Sequence, residues 1–128
     1  MKRREFLHAG PTAAALAGAS AVAAQATEPS FEWHEASAAD LSRAMAEGRT
    51  TSAALVRAYQ ARIAAVDQAG PMLASMLELN LQAEAIAAQC DAERAAGRAR
   101  GPLHGIPVVI KDNIATADGM ATSAGSPA

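Results

Sequence analysis

Large aromatic residues are nearly absent from this chain. Two Phe, one Tyr and one Trp serve 128 residues. The hydrophobic fraction of 51% is correspondingly misleading, because much of it is alanine, which buries little area. Such a composition does not supply a large independent core, and it points to helices and strands that need further structure to pack against. Cysteine is almost missing too: the single Cys90 excludes an internal disulfide. In its alanine-rich surroundings Cys90 reads as a small buried hydrophobe, since a reactive thiol needs an electropositive and accessible setting. No excess of basic charge exists either. The formal net charge is −2, with no basic, aromatic-interleaved patch, so no nucleic-acid partner is expected. The length fits at most one domain.

What is present begins with an address. Lys2, Arg3 and Arg4 precede Phe6 and Leu7, a weakly apolar stretch runs from Ala9 to Ala24, and Ala24-Gln25-Ala26 offers a small-x-small cleavage pattern. This three-part layout is that of a secretory signal. Arg3-Arg4-x-Phe6-Leu7 resembles the twin-arginine export motif, which a receptor reads and which does not anchor the protein. Lys2 and the early Pro11 depart from the usual pattern. The apolar stretch is too short and too alanine-rich for a transmembrane span, so no stable membrane anchor is expected. We therefore expect residues 1–26 to be a cleavable signal recognised by an export receptor, and residues 27–128 to be periplasmic or secreted. Cleavage would remove Lys2, Arg3, Arg4 and Glu5, taking the formal charge from −2 to −4.

After an irregular lead-in over 27–34, Ser37 and Asp40 form a capping-box pattern, and Leu41, Ala44 and Met45 follow at helical spacing up to Gly48. Thr50, Thr51 and Ser52 offer the next N-cap. Leu55, Val56, Tyr59, Ile63 and Val66 share one face of a second helix, stopped by Gly70-Pro71. The apolar run 73–79 predicts a short strand. Asn80 is placed to cap a third helix over 81–96, ended by Gly97. Arg98 and Arg100 read as a solvated connection, and Pro107 to Ile110 as a second strand bounded by Gly and Pro. A strand, a long helix and a strand in that order predict a parallel crossover and an α/β layout.

Lys111 ends that second strand. An ammonium group at the end of a buried strand is short of water, and desolvation favours the neutral amine, which can act as a general base; the plainer reading of the spacing alone is a lysine that ends the strand and points into water. Ser-Lys pairs are a known variant of nucleophilic hydrolase chemistry. The carboxyl end of a strand is also where open α/β sheets hold their ligands. Three neighbours have plainer readings. His104 sits in a Gly/Pro-rich turn without a second ligand residue and reads as structural. Asp112 and Asn113 are suited to shaping the following loop through hydrogen bonds to backbone.

The segment GPLHGIPVVIKDN over 101–113, followed by Thr116 to Ser126, resembles the start of the amidase signature family. Leu77 to Asn80 and Asp91 to Ala95 resemble it as well, so the likeness runs from about Ala36 to Ala128. It implies an α/β/α fold, a mixed sheet flanked by helices, of which this chain is the N-terminal portion. It implies that Lys111 is the base of a Ser–cis-Ser–Lys triad that hydrolyses a carboxamide C–N bond in a small-molecule or peptide amide, with no metal or organic cofactor. The two serines of that triad lie well downstream of the lysine in a Gly/Ser-rich segment. Ser123 and Ser126 follow Lys111 too closely to be those serines, and the chain is expected to be inactive alone. Two other readings are an amidotransferase of the same family, acting on aminoacyl-tRNA with partner proteins, and an exported helical protein that binds a partner through the Leu55–Val66 face.

Overall fold

The computed structural model describes residues 31–126. The expected signal over 1–26 lies outside them. Three helices order the described residues: α1 (Ala38–Ala46), α2 (Ser52–Val66) and α3 (Ala83–Ala95). Local chemistry sets most of their ends. Ser37 Oγ accepts from Asp40 N–H at 3.2 Å, and Asp40 Oδ2 accepts from Ser37 N–H at 3.2 Å, closing the capping box of α1. Thr51 Oγ1 caps α2 by accepting from Ala54 N–H at 3.1 Å. At the far ends of α1 and α3, Gly48 and Gly97 both take φ +70°. There the backbone closes the same double turn: Arg49 N–H bonds Ala44 O and Gly48 N–H bonds Met45 O after α1, as Arg98 N–H bonds Glu93 O and Gly97 N–H bonds Arg94 O after α3.

The core is small. Leu41 and Met45 from α1 pack with Leu55 from α2, and Trp33, Ala36, Tyr59 and Ile106 close around them. Leu55 is fully buried. Phe31 meets Tyr59 edge-on, with ring centroids 5.0 Å apart at 66°. Helices α2 and α3 lie against each other, and α3 buries Ala87 and Cys90. The expected hydrophobic face of α2 is real but graded: Leu55 and Val56 are buried, while Tyr59, Ile63 and Val66 are half-buried. Asp67, at the end of α2, is buried and ties the helix to the segment that follows it. Its carboxylate accepts from Ser75 N–H at 2.7 Å, from the Ser75 hydroxyl and from Met76 N–H at 3.2 Å. Those bonds, the Ser75 hydroxyl first, hold its carboxyl below the ordinary range.

Three local expectations need correcting. Among the described residues neither 73–79 nor 107–110 forms a strand. A strand exists only when a neighbour pairs its backbone groups, and no such neighbour is among the described residues. Leu73, Leu77, Val108 and Val109 are exposed by 62%, 76%, 71% and 73%, so two apolar segments stand uncovered. Asn80 does not cap α3. The cap position is Gln82, without a side-chain bond, and α3 begins at Ala83. Asn80 is engaged instead in a tight turn, accepting from Gln82 N–H at 2.8 Å, and its amide donates to Asp118 at 2.9 Å. Arg100 is exposed, as expected of a solvated connection, and its Nε also lies 3.1 Å from Glu93 Oε2 and 3.4 Å from His104 Nδ1.

Candidate functional site

The segment that carries Lys111 starts from a tightly held turn. His104 N–H bonds Gly101 O at 3.1 Å and Ile106 N–H bonds Leu103 O at 3.1 Å. Gly105 between them takes φ +77°, a conformation that disfavours any side chain. A Cβ there would also lie 3.0 Å from Ser52 Oγ and 3.3 Å from Cys90 Cβ. Glycine is therefore required twice over, by the backbone and by the contact.

Two helices grip this turn. The Ser52 hydroxyl, in the first turn of α2, donates to Gly105 O at 2.5 Å. Arg94 of α3 donates from Nη2 to His104 O at 2.7 Å. His104 is buried, with Nε2 3.0 Å from Cys90 O. The plain structural reading of His104 matches this position, and buried Cys90 supplies it a backbone carbonyl. Glu93 stands beside the ring, with Oε2 3.8 Å from His104 Nε2. A further contact joins the two helices themselves. Asp91 accepts from Ser52 N–H at 2.7 Å and from Ala53 N–H at 3.0 Å, so a carboxylate of α3 satisfies two donors at the start of α2 that the helix itself leaves unpaired.

Beyond this grip the chain runs to Lys111 without helix, turn or bridge. Lys111 is exposed, as are Val108, Val109 and Ile110 before it, at 71%, 73% and 39%. The expected desolvation of the lysine is thus not supplied by the described residues. Burial of a strand end is the work of neighbouring strands, and none pairs here.

After Lys111 the chain folds back as a braced loop. Lys111 O accepts from Ile114 N–H at 2.9 Å. Asp112 reaches across to the far side, accepting from Ser123 Oγ at 2.5 Å, Ser123 N–H at 3.0 Å and Gly125 N–H at 3.3 Å. These bonds, the Ser123 hydroxyl first, hold the Asp112 carboxyl below its ordinary range. The loop-shaping role expected of Asp112 is the one observed. Ser123 is committed to Asp112, and Ser126 closes the turn with its N–H on Ser123 O at 2.8 Å. Asp118 accepts from the Thr116 hydroxyl and from Asn80 Nδ2, and its carboxyl is likewise depressed, chiefly by Thr116. Ala121 N–H bonds Glu78 at 2.9 Å. Residues 78–80 and 118–121 therefore lie side by side, and 78–82 with 118–120 line a small hollow.

The sequence points to Lys111, His104 and Asp112, but not to Arg94 or to the pairing of Ser52 with Asp91. Ser52 and Asp91 are 39 residues apart, and Ser52 and Gly105 53 apart. No local pattern marks such a pair; the only hint is a hydroxyl and two unpaired N–H groups at a helix start, which require an acceptor without naming it.

Residues 54–128 match the family model described as Amidase. A glutamyl-tRNA(Gln) amidotransferase component from Renibacterium salmoninarum is 45% identical over 91 residues, which is 70% of this chain and 17% of that one. The solved native peptide amidase of Stenotrophomonas maltophilia superimposes with a TM-score of 0.72 at 51% identity, over 75% of this chain and 20% of that chain. A peptide amidase solved with the competitive inhibitor chymostatin gives a TM-score of 0.70 at 52% identity, over 73% of this chain and 19% of that chain. The chain thus spans a fifth or less of the length of these relatives.

Proposed function

This chain belongs to the amidase family, and from that membership we propose that the protein carrying it hydrolyses a carboxamide C–N bond, with Lys111 as the catalytic base. The observation that carries the proposal is the continuity of the family match through the gripped turn at 104–105 and on to Lys111. A base must be presented at a fixed point, and two helices fix the origin of the segment that ends in this lysine.

In the proposed reaction Lys111, as the neutral amine, accepts a proton through a bridging cis-serine from a nucleophilic serine. The serine oxygen attacks the carboxamide carbonyl, and backbone N–H groups stabilise the tetrahedral oxyanion. The proton passes to the departing amine as the C–N bond breaks, and water then hydrolyses the acyl-enzyme. Neither serine is assigned to a residue of this chain. Ser123 is bound to Asp112, which fits it for bracing the loop. For Lys111 to lose its water, the exposed run Val108 to Ile110 has to be covered. We place it, with 73–79, in the mixed sheet of an α/β/α fold whose remaining strands supply that cover.

Peptide amides are the substrate class we favour, because the peptide amidase structures, native and inhibitor-bound, are about half identical to this chain over the matched region. The amidotransferase reading rests on lower identity, 45%. Residues 1–26 remain, in our proposal, a cleavable twin-arginine-like signal, with the mature protein periplasmic or secreted. The test of function is release of ammonia from an amidated dipeptide by the purified protein. Ammonia appearing with first-order dependence on enzyme supports an amidase. A protein inert on peptide amides yet able to transfer ammonia to a glutamyl-tRNA in the presence of partner proteins would support the amidotransferase instead.

A further inference from the structure

We propose that Ser52 is a positioning residue for Lys111, oriented by Asp91 and acting through the carbonyl of Gly105. The inference rests on the reading of Lys111 as the base.

Ser52 is 2% exposed and opens α2. A serine at a helix start usually serves its own helix by accepting from a backbone N–H of the first turn. Here Thr51 performs that task, and the hydroxyl of Ser52 is directed elsewhere. Its own N–H and that of Ala53 are fixed by the two oxygens of Asp91. The backbone of Ser52 is thereby held against α3, and its hydroxyl meets Gly105 O at 2.5 Å. The preceding carbonyl, His104 O, is taken by Arg94 of α3 at 2.7 Å. Two consecutive carbonyls are therefore held by side chains from two different helices. A single bond would leave the turn free to pivot; two bonds at adjacent peptide units remove that pivot. Gly105 brings its backbone close against Ser52, where a Cβ would lie 3.0 Å from Ser52 Oγ and 3.1 Å from Ser52 Cβ.

The consequence is a lever. Six residue steps separate Gly105 from Lys111; held extended in the proposed strand they reach about 20 Å, and a swing of about 3° at Gly105 carried along it would move the lysine by about 1 Å. Misplacement of a reacting group by about 1 Å costs on the order of 100-fold in rate. Ser52 touches no reacting atom, and its effect belongs in the rate of the bound complex instead of in substrate affinity.

The experiment is steady-state release of ammonia from an amidated dipeptide by the amidase carrying this chain, compared per folded molecule. Ser52→Ala should lower kcat by about 10- to 100-fold while KM stays within about twofold, the split expected when positioning in the transition state is lost. Ser52→Thr retains the hydroxyl and should restore most of kcat. Asp91→Asn keeps the shape but replaces one acceptor oxygen by a donor, and should give an intermediate kcat. A folded Ser52→Ala protein with unchanged kcat overturns the proposal. Where Ser52→Ala does not fold, an Asp91→Asn protein with unchanged kcat overturns it equally. Lys111→Ala, run in parallel, separates the two claims: if it is inactive while Ser52→Ala is normal, only the positioning role fails. If Lys111→Ala is active, the base assignment fails and the positioning role with it.

Discussion

Leu55 is where the small core can be tested most sharply. It is the one large side chain that is wholly buried among the described residues, and it sits between Leu41 and Met45 of α1 and against Ile106, one residue past the gripped glycine. Leu55→Ala removes three carbons. At about 0.8 kcal/mol for each buried methylene the transfer loss is about 2.4 kcal/mol, to which a residual cavity adds. The total expected is about 2.7–5 kcal/mol. A core with so few bulky members has little to move into the gap, which favours the upper half of that range. Leu55→Met, which conserves volume, should cost less than about 1.5 kcal/mol. The assay is equilibrium urea unfolding followed by far-ultraviolet circular dichroism, where Leu55→Ala should lower the midpoint by about 1–3 M. Because Ile106 packs on the same cluster, the alanine variant should also lose amidase activity out of proportion to its unfolded fraction. A midpoint shift no larger than that of Leu55→Met would refute the reasoning, since it would mean that Leu55 is not the centre of the core.

Acid and export supply three further tests. Asp112, Asp118, Asp67 and Asp40 all have carboxyls depressed from the ordinary value of 3.8 by hydrogen bonds made only in the folded state. Their contribution to stability is complete above that value and is lost as pH falls through the lower folded values, so stability should decline below pH 3.8. Ser123→Ala removes the largest cause at Asp112 and should raise that carboxyl toward its ordinary range, read by carbon-13 titration; an unmoved titration would contradict the assignment. Residues 1–26 fused to a folded fluorescent reporter should carry it to the periplasm, and replacing Arg3 and Arg4 by Lys should strand it in the cytoplasm. A reporter exported equally well by both fusions would remove the twin-arginine assignment.

The helices were legible because their signals are local. Ser37 with Asp40, Thr51, Gly48 and Gly97 act within a few residues of themselves, and each stands where its chemistry requires. Asn80 misleads for the same reason: its side chain suits a cap, but its oxygen is taken by Gln82 N–H in a tight turn, its amide reaches Asp118 38 residues away, and α3 starts later. The runs 73–79 and 107–110 have strand-like composition, yet pairing is a property of two segments, and their partners are not among the described residues. The candidate site divides in the same way. Lys111 could be read from the motif that precedes it. Its exposure, the grip of Ser52 and Arg94 on two adjacent carbonyls, and the ion pair of Arg100 with Glu93 depend on contacts that no spacing announces.

The central claim is that Lys111 is the base of an amide hydrolase, and the most direct measurement is amide turnover by a folded Lys111→Ala protein. Loss of a general base alone costs about 100- to 10,000-fold. We predict a fall in kcat at least that large, with the circular dichroism spectrum retained, because Lys111 is not among the residues of the core. Near-normal turnover by the folded variant would contradict it.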